Sequence, residues 1–134
     1  MQLVQISDLH MMPDGEGLHG LEPAARLREC VADINQRAGD AQLCMVTGDL
    51  ADKGDTGAYQ AVRECLDQLT MPYCLLIGNH DHRERFRQVF PEVPCDKNGF
   101  VQYSRDTGDA VLLCLDTVQA GSHAGIYCKQ RCEW

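Results

Sequence analysis

The chain has neither a Gly-x-Gly-x-x-Gly fingerprint nor a P-loop, two signals for cradling nucleotide phosphates on backbone amides. Positive charge is scarce: 12 Lys and Arg stand against 20 Asp and Glu, a formal net charge of −8. Proteins that grip a nucleic-acid backbone concentrate Lys and Arg, so that class of partner is not expected. No apolar run is long enough to cross a membrane, and repeats and low-complexity tracts are missing. The opening Gln2-Leu3-Val4-Gln5-Ile6 lacks the basic and long apolar regions of a secretory signal. These absences lead to the expectation of a cytoplasmic protein with no membrane partner.

Cysteine, by contrast, is plentiful: eight in 134 residues. In a small secreted domain that count would suggest a disulfide framework. Their positions argue otherwise. Cys44, Cys74 and Cys114 lie inside apolar strand-like runs, and Cys30 and Cys65 fall on apolar helical faces, where a free thiol behaves as a small buried hydrophobe. Cys128 and Cys132, four apart, could pair or bind a metal, but two ligands make a poor site.

Periodicity gives a coarse layout. Leu27, Val31, Ile34 and Ala38 recur at helical spacing, with Pro23 suited to the first turn and Gly39 to the C-cap. Ala58, Val62, Cys65, Leu66 and Leu69 form a second stripe, capped by Asp55 or Thr56. A third, short helix is expected over Arg83 to Phe90, with Phe86, Val89 and Phe90 inward and Pro91 ending it. Its arginines, Arg83, Arg85 and Arg87, read as a solvated face that could help steer phosphate. Strands are expected at about 100–104 and 110–115, joined by hairpin chemistry through Arg105-Asp106-Thr107-Gly108-Asp109. The expected architecture is one α/β domain, residues 1–134: a mainly parallel sheet with flanking helices, extended by the hairpin. Residues 125–134 read as the opening of an amphipathic helix, and the ending on Trp134 as a truncation.

Three short polar segments each follow an apolar run. Ser7-Asp8-Leu9-His10 follows 3–6, Gly48-Asp49-Leu50-Ala51-Asp52 follows 43–46, and Gly78-Asn79-His80-Asp81 follows 73–77. In an open parallel sheet, residues just past the strand C-termini converge on one crevice. Asp8, His10, Asp49, Asn79 and His80 should therefore meet in space. Carboxylate, amide oxygen and imidazole, with no thiolate, suit Mn²⁺, Fe, Co²⁺ or Zn²⁺. An aspartate between two ions can bridge them, and paired ions hydrolyse phosphate esters in many enzymes.

Asp-x-His, Gly-Asp and Gly-Asn-His-Asp, in this order and spacing, resemble the calcineurin-like metallophosphoesterases. Ser-Asp-Leu-His with Gly-Asn-His-Asp is most similar to the branch of cyclic-nucleotide and glycerophosphodiester phosphodiesterases. The resemblance implies the first half of a four-layer αββα sandwich and hydrolysis of small phosphodiesters by water activated on two divalent ions. It implies that Asp8 and His10 hold the first metal, Asp49 bridges, and Asn79 binds the second. His80 would act beside the metals as proton donor or phosphate contact, with Asp81 orienting it or a ligand. The family pattern continues with a later His and a Gly-His-x-His, neither of which is present.

Two other readings stand beside this one: a non-catalytic fragment with a partial metal site, and a metal-free α/β ligand-binding domain. Asp8, Asp49 and Asn79 could each be turn residues, and Asp52 is expected to bond the turn rather than a metal. His82 is expected to face solvent. His19 and His123, each between glycines, are candidate substrate contacts. Asp116 is expected to anchor the loop after its strand. Specificity is expected in loops around residues 11–20 and in the second half that the family pattern implies, and a homo-oligomer is left open.

Overall fold

The computed structural model describes residues 1–13 and 15–134, so Asp14 of the expected specificity loop lies outside the described residues. Three apolar segments form the parallel strands β1 (Leu3–Ile6), β2 (Leu43–Thr47) and β3 (Tyr73–Leu76). They pair in the order β1-β2-β3, with Val4 opposite Cys44 and Val46 opposite Leu75. Helices α1 (Pro23–Ala38) and α2 (Thr56–Leu66) make the crossovers, and α3 (Arg83–Val89) follows β3. α1 packs on α2 and α2 on α3, so the helices form one layer.

Pro23 opens α1, where its fixed φ and missing N–H carry no penalty. Leu27, Val31 and Ile34 then return to one face every three or four residues and are buried. Each such burial stabilises the fold by about 1.5–3 kcal/mol. Gly39 does follow α1, but in right-handed rather than left-handed conformation. Asp55 precedes α2 without a side-chain capping bond, and Leu69 falls beyond that helix. Cys44 and Val46 are fully buried, and Cys44 has Cys30 of α1 as a neighbour. The other face of the sheet is more open: Gln5 is exposed and donates to the Thr47 hydroxyl at 3.0 Å. Cys44, Cys74 and Cys114 are buried unpaired thiols, as their positions in strands demand.

The hairpin does not extend the parallel sheet. β4 (Tyr103–Asp106) and β5 (Val111–Cys114) form a separate two-stranded antiparallel sheet. Arg105 and Asp106, expected in the connection, pair with Leu112 and Val111, and the turn is Thr107 to Ala110. The contact with β3 is made by a side chain instead of a ladder. The Tyr103 hydroxyl donates to the Leu75 carbonyl (2.8 Å) and accepts from the Leu75 amide (3.1 Å). This satisfies the backbone polar groups that a neighbouring strand would otherwise need to meet. α4 (Lys129–Cys132) is a single turn, shorter than the helix the terminal sequence suggests.

Two buried carboxylates hold the loops beyond the sheet. Asp81 is expected beside His80; its carboxylate turns inward instead. It accepts from the amides of Leu50 (3.1 Å), Ala51 (3.1 Å) and Gly78 (2.8 Å) and from the Tyr59 hydroxyl (3.0 Å). With every lone-pair direction taken, it has no capacity left to orient an imidazole. Burial pushes this carboxyl above its ordinary value, against the pull of the four donors.

Asp116 is fully buried and anchors the segment after β5, accepting from the amides of Val118 and Val101. Arg83 clamps it with two 2.8 Å bonds and also reaches the Val118 carbonyl, so this arginine is not part of a solvated face. Arg131 of α4 donates to the same carbonyl (2.8 Å) and to that of Ile126. Burial alone would push Asp116 up. The Arg83 guanidinium and the two amides outweigh it and hold the carboxyl below the usual range.

Asp81→Asn turns an NH₂ against backbone N–H donors and should cost about 3 kcal/mol or more, measured by chemical denaturation. Tyr59→Phe, which removes one of the four donors, should cost about 1 kcal/mol. For Asp116 the depressed pKa means its stabilisation is present above the ordinary carboxylate pKa, about 3.9, and is lost as pH falls through the folded value. Thermal melts should therefore show the wild-type advantage over Asp116→Asn intact at pH 6 and shrinking below about pH 4.

Candidate metal centre

The strand ends hold a backbone that side chains normally avoid. After β1, Asp8 has φ +58° and His10 φ +42°; after β2, Gly48 has φ +100° and Asp49 φ +50°. Left-handed conformations at non-glycine residues cost of order 1–3 kcal/mol each and persist where surrounding bonds fix them. Here the two loops lie side by side and do so. Asp8 N donates to Gly48 O (3.1 Å), His10 N to Asp49 O (2.9 Å), Met11 N to Leu50 O (2.9 Å) and Asp52 N to Met11 O (3.0 Å). Asp81 secures the second loop from beneath through Leu50 and Ala51.

Glycine is required where the third strand end approaches. A Cβ on Gly78 would lie 2.2 Å from Asp49 Oδ1 and 2.5 Å from its amide. With only hydrogen there, the Asp49 carboxylate fits against the third loop and its Oδ1 accepts from the His80 amide at 3.1 Å.

The outcome is a cluster of cation-seeking atoms. His10 Nε2 stands 3.9 Å from Asp8 Oδ1 and 3.9 Å from Asp49 Oδ2, and these three residues each offer an atom within 4.8 Å of the others. No Lys or Arg among the described residues forms an ion pair with Asp8 or Asp49. Two carboxylates and an imidazole without a protein cation fit a divalent ion, which takes such oxygen and nitrogen donors together.

Asp52, expected only to bond its turn, serves both histidines. Its carboxylate lies 3.4 Å from His10 Nδ1, leaving Nε2 to the Asp8–Asp49 side. Carboxylates that hold the far nitrogen of a ligating histidine fix its ring orientation and tautomer. The Asp52 carbonyl meets His80 Nδ1 at 2.8 Å. A carbonyl only accepts, so Nδ1 carries the hydrogen and Nε2 is the free nitrogen of His80. The rings of His10 and His80 meet edge to face, 4.7 Å apart.

Asn79 is exposed beside this cluster, its amide nitrogen 3.0 Å from His123 Nδ1. The His123 ring also lies 5.3 Å from that of His80. Thus Asp8, His10 and Asp49 converge, Asn79 and His80 flank them, and Asp81 lies underneath. His82 caps α3, its Nδ1 accepting from Arg85 N. An open cleft of about 750 Å³ adjoins Asp8 and His10, walled by Leu9, Leu18, His19 and Leu27, so His19 borders the site without joining its cluster. Asp52 and His123 are the residues that sequence reasoning undervalued. Asp52 had one usable signal, a second carboxylate three residues after Asp49; His123 had only its glycine-flanked loop.

The chain is similar to known proteins over most of its length. The model of the calcineurin-like phosphoesterase family matches residues 1–129. A probable cyclic nucleotide phosphodiesterase of Rhodopseudomonas palustris is 41% identical over 98% of this chain and 48% of its own length. A cAMP/cGMP dual specificity phosphodiesterase of Mycobacterium tuberculosis is 31% identical over 92% of this chain and 40% of its own. A probable glycerophosphodiester phosphodiesterase of Arcobacter nitrofigilis is 26% identical over 100% of this chain and 50% of its own. The chain spans about half the length of the curated relatives it matches. With its three motifs inside the matched region, the chain belongs to the calcineurin-like phosphoesterase family.

Proposed function

We propose that this chain serves the hydrolysis of small phosphodiesters, a cyclic nucleotide or a glycerophosphodiester, at a pair of divalent ions. The observation that carries the reading is the convergence of Asp8, His10 and Asp49 on strained loop backbones, with no Lys or Arg among the described residues paired to the carboxylates. Two relatives named as phosphodiesterases, at 41% and 31% identity, support the reaction class. The chain covers 48% and 40% of the length of these two relatives.

In this reading Asp8 and His10 hold the first ion, Asp49 bridges, and Asn79 takes the second through its amide oxygen. Bound divalent ions supply charge neutralisation at the phosphate oxygens and lower the pKa of water enough for it to ionise near neutrality. The residues do the rest. Asp52 locks the His10 ring, and its carbonyl locks His80 with Nε2 free. Protonated His80 then passes the Nε2 proton to the alkoxide as the phosphorus–oxygen bond breaks. The chain's own acidity does not oppose an anionic substrate, since bound cations invert the local field. A cytoplasmic location and a small phosphodiester as the main partner belong to the same reading. Among the described residues no helix is long and apolar enough to cross a membrane.

The chain should retain Mn²⁺ through dialysis, and Asp49→Ala should release it. Metal-dependent hydrolysis of bis(p-nitrophenyl) phosphate should fall at least about 100-fold in the same variant, the scale of losing a ligand-shell interaction; wild-type turnover by Asp49→Ala would refute the bridging role. Gly78→Ala, whose methyl takes the place of the Asp49 carboxylate, should lose Mn²⁺ to a similar degree although it removes no ligand.

A further inference from the structure

Among the four expected metal ligands, Asn79 alone carries an amide, and an amide has two ends. Its oxygen can hold a cation; its NH₂ can only donate a hydrogen bond. A ligand role for Asn79 therefore requires something to fix which end is turned to the ion. Its NH₂ meets His123, whose Nδ1 lies 3.0 Å from Asn79 Nδ2. Since the NH₂ donates, Nδ1 accepts, and the ring hydrogen resides on Nε2.

We propose that His123 is a positioning residue that holds the Asn79 amide by its nitrogen and so leaves Oδ1 as the atom available to a cation. This rests on the ligand role proposed above for Asn79. The loop that carries His123 is built to stay in place. Val118 and Gly125 pair across its base, and Ile126 N donates to Thr117 O at 2.9 Å. Beneath that base Val118 takes Arg83 and Arg131 on its carbonyl and gives its amide to buried Asp116. At the tip, Ser122 N donates to Gln119 O (3.1 Å) and Ala124 N to the Ser122 hydroxyl (3.0 Å), on either side of His123. The chain segment after β5 thereby reaches back across the sheet ends to a residue 44 positions earlier.

Side-chain geometry allows a sharp test. The oxygen of an asparagine occupies the place of imidazole Nδ1, whereas the oxygen of a glutamine reaches the place of Nε2. Mn²⁺ binding by the 134-residue chain is titrated for wild type, Asn79→Ala, His123→Ala, His123→Asn, His123→Gln and the double variant Asn79→Ala/His123→Ala. His123→Ala should weaken Mn²⁺ binding about 10–100-fold, the usual loss when a residue that orients a ligand is removed. His123→Asn should restore it and His123→Gln should not. The double variant should bind no worse than Asn79→Ala, because the histidine acts only through that amide. Melting temperatures of the metal-free proteins should be the same for all the His123 variants. Rescue by glutamine rather than asparagine, or an additive double variant, overturns the proposal by showing that His123 meets the ion through its own Nε2. A loss in Asn79→Ala with none in His123→Ala overturns it and leaves the metal reading intact. No loss in Asn79→Ala overturns both this proposal and the ligand role of Asn79.

Discussion

The buried carboxylate of Asp81 takes hydrogen bonds from two loops that the sequence separates by about thirty residues, and the geometry of the strand ends depends on it. Leu50 and Ala51 follow Asp49 directly; Gly78 precedes Asn79 and His80. By binding the amides of all three, one side chain sets the separation of the two turns that bear expected ligands. Tyr59 on α2 ties the same carboxylate to the helix layer and accepts from the His82 amide at the start of α3. Small displacements here matter, since a Gly78 Cβ would already overlap the Asp49 carboxylate. Buried polar networks of this kind are strong when complete and costly when one member is lost.

The strained backbones at Asp8, His10 and Asp49 follow from the same arrangement. Each residue turns a side chain into the space between the loops, in a conformation that costs free energy and that the cross-loop hydrogen bonds sustain. The site is thus shaped by the fold before any ion arrives. A preorganised cluster of negative charge is expensive on its own and favourable once a divalent ion is bound.

Much of this was legible in the sequence because local pattern and tertiary role coincided. The apolar runs at 3–6, 43–46 and 73–77 read as parallel strands, and a sheet of that kind sends its C-terminal ends to one edge. Leu27, Val31 and Ile34 announced the buried face of α1 in the same way. Asp81 misled because it adjoins His80 in sequence, whereas its carboxylate finds four donors on the opposite side of the turn. The hairpin misled because its sequence has strand chemistry, and only the reach of Tyr103 to Leu75 shows how it docks. Arg83 sits in an evenly spaced basic run that looks solvated; its partner Asp116 lies 33 residues away. Asp52 and His123 meet other side chains across the loops, contacts that sequence spacing at most hints at.

Residue 52 touches His10 with its carboxylate and His80 with its carbonyl. One holds an expected ligand; the other holds the expected proton donor. A shift of that residue's backbone would carry both contacts with it, so the two rings share one support. Tuning either function by substitution nearby will disturb its counterpart, which makes this short turn a shared pivot rather than a passive connector.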